Sequence, residues 1–363
     1  MKKNWWLFLL FLVGACTTNK KEDVTSLPDY PIEAGVSAPF AGFVGDWLIV
    51  AGGCNFPDVP AAKGGQKVYY REVYALNTAN PQTGWIRLPD LPFPVAYGAM
   101  AETDEGLICM GGMNADSVTS SVFRIEKVND TDSFMVRMLP AMPEPIDNGA
   151  AAQCGNRIYV TGGNQQGKAK SLYALQLKSG QLPVWEKLAD YPEQQRLQPV
   201  LLAQDSMLYL CGGFESVRSD SCALARDVLR YDIPKNQWTR ETELPDDESG
   251  KPRCLVGASG QVHEGNLLFA GGVNYQIFKD AMEGHAPKDY MEKAPEWYRF
   301  NKKLFAYDPV RKSWTFMTES EHMARAGGIL LKKKGRLYMV CGETKPGVRT
   351  QKVVSVPIPS VGQ

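Results

Sequence analysis

The run Leu48-Ile49-Val50-Ala51-Gly52-Gly53 decides the fold, because close relatives of it return along the whole chain. Its counterparts run from Leu107 to Gly112, Ile158 to Gly163, Leu208 to Gly213, Leu268 to Gly272 and Leu337 to Glu343. Each is a short apolar segment that ends on glycine, the pattern of a buried strand turning where side chains would collide. Recurrence at a spacing of about fifty residues marks a repeat architecture rather than a string of unrelated elements.

Other marks follow in register. After each glycine turn a loop leads to a strand carrying an aromatic residue, as at Tyr74, Phe123, Tyr173, Tyr231 and Tyr307. A tryptophan usually follows, at Trp85, Trp185, Trp238 and Trp314; the second repeat offers Phe134 instead. These are the features of the kelch repeat, and six units of four strands predict an all-β, six-bladed kelch-type β-propeller. The segment Leu27-Pro28-Asp29-Tyr30-Pro31 matches Leu188-Ala189-Asp190-Tyr191-Pro192, which follows the outermost strand of the third blade. Residues around Val24 to Leu27 are therefore expected as the outer strand of the last blade. That blade's three inner strands should come from about Gly327 to Pro357. The N-terminal outer strand would then close the ring onto the C-terminal strands and remove an open edge. Residues 24–363 read as one domain without an internal linker.

The composition is globular, 44% hydrophobic and 22% charged, with zero formal net charge. No basic stripe or aromatic-interleaved patch suggests nucleic acid. Residues 1–15 read as a signal peptide: Lys2 and Lys3 precede an apolar core, and Leu12-Val13-Gly14-Ala15 leads into Cys16. The apolar run is too short for a permanent span. It resembles a bacterial lipoprotein signal, with Cys16 as the lipid attachment site and 16–23 as a polar tether. This implies export to the cell envelope and membrane contact only through that anchor, with oligomeric state open. The remaining cysteines show no CxxC spacing, so zinc is not expected; Cys109, Cys211 and Cys341 read as small buried hydrophobes.

One repeat breaks the pattern. In Gly342-Glu343-Thr344-Lys345-Pro346-Gly347-Val348-Arg349-Thr350 an acid stands where the other repeats suggest a second glycine. The Pro346-Gly347 turn should bring Arg349 back to Glu343, and the guanidinium should keep the carboxylate ionised as a proton acceptor. The loops after the glycine turns and the entries to the innermost strands should share one rim. That places Asn55, Asn114, Asn164, Glu215, Asn274, Arg196, Arg253 and Arg325 as candidate neighbours, with Asp147 and His322. Arg325, Arg253, Arg196, Asn55 and Asn164 are the candidate substrate-binding residues, since arginine forks and amides suit a polar anionic ligand. Long loops over 54–70 and 273–302 suit lids or binding walls.

The stretch from Gly342 to Thr350, together with Ala41-Gly42-Phe43 and Ala51-Gly52-Gly53 with Phe56, resembles the N-acetylneuraminate epimerases, or sialic acid mutarotases. In that family the two stretches run in the opposite order, so the chain looks like a circularly permuted branch. The resemblance implies Glu343 as general base, Arg349 as its partner, a sugar acid as substrate, anomer interconversion as the reaction, and no metal or other cofactor. The alternative is a kelch propeller that binds a sialoglycan or protein without catalysis. A sialidase is disfavoured because its Ser-x-Asp-x-Gly-x-x-Trp turns are missing, and copper chemistry by the contexts of His263, His285 and His322.

Overall fold

The computed structural model describes residues 23–128, 131–177, 183–218 and 221–359. The signal segment, Cys16 and the tether up to residue 22 lie outside the described residues. Six four-stranded antiparallel sheets form the blades. Blade 1 runs from the axis outward through Phe40–Val44, Trp47–Ala51, Val73–Asn77 and Trp85–Leu88. The innermost strands of the next five blades are Ala99–Thr103, Asp147–Cys154, Val200–Gln204, Ala258–His263 and Ile329–Lys333. Each innermost strand packs against the innermost strands of both neighbouring blades, and the circuit closes between blade 6 and blade 1.

Closure occurs where the sequence placed it. In blade 6, Ile329–Lys333, Arg336–Val340 and Val353–Pro357 are joined on the outside by Thr25–Ser26, with Thr25 opposite Ser355 and Ser26 opposite Val354. The repeated Leu-x-Asp-Tyr-Pro segments explain why this edge pairs correctly. Tyr30 and Tyr191 are both buried, each with its ring edge-on to the outer-strand tryptophan of the next blade, at 5.5 Å from Trp85 and 6.2 Å from Trp238. The indole N–H of Trp85 donates to the Pro28 carbonyl and that of Trp238 to the Ala189 carbonyl, both at 2.9 Å. Trp185 makes the equivalent bond to Pro140 at 2.9 Å. Half-buried tryptophan thus supplies apolar area and one directional bond between blades.

The core lies between blades. One cluster joins Leu331, Tyr338 and Val340 of blade 6 to Ala41, Leu48 and Val50 of blade 1, sealing the seam where the chain ends meet. Cys109, Cys211 and Cys341 are fully buried in such layers, and all seven described cysteines are free thiols.

Candidate active site

Along the axis the inner strands carry small residues, among them Ala41, Ala101, Gly149, Ala151, Ala203, Gly260 and Gly328, and their size leaves a cavity of about 780 Å³. That volume falls in the range of a small-molecule site. At its neck each blade contributes one residue in the left-handed region at or just before the start of the innermost strand. These are Ala38, Tyr97, Asn148, Gln198, Gly257 and Gly327, with φ of 50°, 60°, 52°, 52°, 66° and 60°. Their backbones link around the axis. Tyr97 N donates to Ala38 O at 3.0 Å, Asn148 N to Tyr97 O at 2.7 Å, and Gln198 N to Asn148 O at 2.8 Å. On the other side Gly327 N donates to Gly257 O at 2.9 Å, and Ala38 N to Gly327 O at 2.8 Å. One half of the neck therefore carries polar side chains, and the other half is nearly bare backbone.

Glu343 stands beside the bare half. The sequence reading put this acid in the place of a second glycine; the backbone shifts that register by one residue. The second glycines Gly53, Gly112, Gly213 and Gly272 have φ of 93°, 97°, 91° and 90°, and the matching residue in blade 6 is Gly342 at 97°. A side chain is impossible there, since a Cβ on Gly342 would come within 2.7 Å of the Gly328 backbone. Cys341, at φ 51°, takes the place of the first glycine. Glu343 instead follows the pair, bridging Ala326 as Cys54 bridges Ser37 and Phe214 bridges Leu197. Its side chain consequently leaves the strand end toward the cavity, which it lines.

The expected fold-back is present. Glu343–Lys345 pairs with Val348–Arg349, Glu343 lies opposite Arg349, and Gly347 takes φ 78° in the turn. Arg349 Nη2 meets Glu343 Oε1 at 2.7 Å. The arginine side chain is only 3% exposed and lies 4.7 Å over the Phe56 ring, while the Glu343 side chain is 20% exposed. Nε and Nη1 of Arg349 are buried without a hydrogen-bond partner. Burial pushes the Glu343 carboxyl above its ordinary value of 4.5, against the opposing pull of Arg349 and the smaller one of Lys67. The guanidinium expected to keep this carboxylate ionised does pull that way, but desolvation is the larger influence.

The loop over 273–302 is a wall of the cavity. Asn274 caps the helix Tyr275–Met282 by accepting from Ile277 N at 3.1 Å. Ile277, Phe278, Ala281, Tyr290 and Tyr298 of this segment face the cavity. Lys345 ties the wall to the Glu343 hairpin through the carbonyls of Met291 at 3.3 Å and Lys293 at 2.7 Å.

The five candidate substrate-binding residues fall elsewhere; none of them lines the cavity. Arg196 is fully buried, with Nη2 at 2.8 Å from both oxygens of Asp227 and Nη1 donating to Gly212 O at 3.2 Å. Arg325 makes the matching latch in blade 6, donating to Cys341 O at 3.1 Å and Lys352 O at 2.6 Å, and burial pulls its pKa down to about 10. These arginines fasten the glycine turn of the following blade to its third strand. Arg253 lies over Phe305 at 4.7 Å and pairs with Glu248 at 3.1 Å. Asn55 is buried, donating to Gly35 O at 2.8 Å and accepting from Tyr70 at 2.7 Å. Asn164 is exposed and reaches Asp147 at 3.3 Å. In each case the backbone carbonyls and acids of a tight turn take the donors that sequence spacing assigned to a ligand. The residues missed were Tyr97, Asn148 and Gln198. Their signal was available: each immediately precedes a glycine or proline at the entry to an innermost strand.

The comparisons with known proteins agree with this architecture. A family model described as N-acetylneuraminate epimerase matches residues 139–362. N-acetylneuraminate epimerase of Haemophilus influenzae (strain PittEE) is 33% identical over 232 residues, 61% of this chain and 59% of that protein. The protein of that name from Yersinia enterocolitica is 31% identical over 59% of this chain and 56% of its own length. The chain thus spans less than two thirds of the curated relatives it matches. Among solved structures, that of YjhT superposes with a TM-score of 0.53 at 27% identity, over 62% of this chain and 68% of the other. With a kelch propeller and a family match over more than half its length, the chain belongs to the N-acetylneuraminate epimerase family.

Proposed function

We propose that this chain interconverts the α and β anomers of N-acetylneuraminate or a close relative of that sugar acid. The observation that carries the reading is Glu343, a carboxylate opening on the axial cavity and paired at 2.7 Å with Arg349. Ring opening requires that the anomeric hydroxyl lose a proton as the bond from C2 to the ring oxygen breaks. A carboxyl raised toward neutrality accepts that proton more readily than an ordinary one, because a base works best with its pKa near the operating pH. Arg349 and Lys67 supply positive field at the same place, which suits a substrate bearing a carboxylate. Arg349 meets Glu343 through Nη2, so its influence on the proton transfer runs through that ion pair.

The experiment is solution NMR of freshly released α-sialic acid. The expected result is faster appearance of the β anomer than in buffer. A propeller that only binds sialoglycan or protein keeps every feature of the fold and gives no acceleration. The N-terminal signature supports a second part of the reading: we infer that the chain is exported and lipid-anchored through Cys16. Cys16→Ser should move the protein from the detergent phase to the aqueous phase in a phase-partition assay.

A further inference from the structure

Tyr97 is the only aromatic residue among the six at the neck, and it holds its place under backbone strain. A bulky residue at φ 60° is uncommon, and such strain concentrates at functional sites. Two blades fill the same slot with glycine, at Gly257 and Gly327, so the fold does not itself call for an aromatic ring there. The tyrosine lines the cavity with Glu343.

Its hydroxyl is held from one side. Lys67 Nζ donates to it at 3.1 Å and lies 5.0 Å from the ring centre. Lys67 has no carboxylate within ion-pair distance among the described residues. The Cys54 thiol approaches the hydroxyl at 3.4 Å, with the Ser37 carbonyl as its alternative partner at 3.7 Å. Sulfur is a weak partner in either direction. The Tyr97 proton therefore has no oxygen or nitrogen acceptor among the described residues. Glu343 and Arg349 lie close enough for their charges to act on the phenol, which burial keeps protonated well above its ordinary range.

We propose that Tyr97 is the second proton-transfer residue of this site, giving its hydroxyl proton to the ring oxygen while Glu343 takes the proton of the anomeric hydroxyl, with Lys67 as its positioning residue. The proposal rests on the anomerase reading above. Cleavage of the bond between C2 and the ring oxygen leaves its electron pair on the oxygen, which receives the Tyr97 proton. The anomeric oxygen becomes the C2 carbonyl, and its proton resides on Glu343. The phenolate is then stabilised by the Lys67 ammonium. Reclosure on the other face returns both protons, so nothing is consumed.

The test is steady-state anomerisation by NMR with Tyr97→Phe, Lys67→Met, the double variant and Glu343→Gln. Tyr97→Phe should lower kcat by about 10²-fold or more with KM little changed, the size expected when a positioned acid is lost. Lys67→Met should lower kcat less and add nothing in the Tyr97→Phe background, because it acts through the hydroxyl. A wild-type kcat in Tyr97→Phe beside an inactive Glu343→Gln would overturn the proposal and leave the anomerase reading standing. A raised KM with unchanged kcat would overturn it too, making Tyr97 a binding group. No acceleration by the unaltered protein would overturn both. Should Tyr97→Phe not fold, Lys67→Met alone decides: an unchanged kcat refutes the role.

Discussion

Glu343→Gln removes a charge and keeps the shape, and the electrostatics of the site set its consequences. Two influences on the ionised side chain oppose each other: the 2.7 Å pair with Arg349, and the burial that lifts its pKa above 4.5. A folded pKa above the unfolded one means the group favours the fold at pH values below 4.5 and loses that contribution as pH rises through the folded value. Above its folded pKa the ionised carboxylate is therefore retained at some cost to stability. Neutral glutamine relieves that cost but leaves the Arg349 charge without its partner. The net change should be destabilising but smaller than the about 3–5 kcal/mol that stranding a buried charge costs, because the relieved carboxylate desolvation and the amide oxygen left facing Arg349 offset part of it. In a chain of this size each kcal/mol corresponds to a shift in Tm of at most about 2–4 °C. The rate should respond on another scale: a lost general base costs about 10²- to 10⁴-fold, or about 2.7–5.4 kcal/mol in the barrier. Thermal melting and NMR anomerisation on the same preparation separate the two. A wild-type rate with an unchanged melt would refute the assignment of Glu343, and a melt lowered by tens of degrees would refute the energetic balance.

Three further outcomes are expected. Arg349→Met removes the charge that pulls the Glu343 pKa down, so the acid limb of the pH–rate profile should move to higher pH; a shift to lower pH would contradict the ion pair. Asp227→Ala leaves the fully buried Arg196 charge with only the half-exposed Glu193 at 3.7 Å and should cost up to about 3–5 kcal/mol in denaturant unfolding, with specific activity of the folded fraction unchanged. Trp238→Phe breaks the 2.9 Å bond to Ala189, whereas the Trp314 indole nitrogen is buried without a partner; Trp238→Phe should therefore destabilise by about 1 kcal/mol more than Trp314→Phe.

The ring is legible in the residues alone. Glycine turns at a fixed spacing, apolar runs between them and the Leu27–Pro31 echo of Leu188–Pro192 are local signals that repeat, and repetition fixes both blade number and closure. The sequence also brought Glu343 to Arg349, because a Pro-Gly turn acts over seven residues and needs no distant partner. Which side chains reach the axis depends instead on how the blades assemble. Arg196, Arg325 and Asn55 sit at the rim in sequence register, yet nearby carbonyls and an acid from the next blade or loop take most of their donors before a ligand could. Tyr97 came to the mouth through backbone hydrogen bonds to residues of the neighbouring blades, and Lys67 reached it from a loop of blade 1. Burial, which outweighs Arg349 at Glu343, is likewise a property of the closed ring and of the 273–302 wall above it. Local pattern dictates strands and turns; solvent exclusion depends on groups far apart in the chain, and so does the chemistry it tunes.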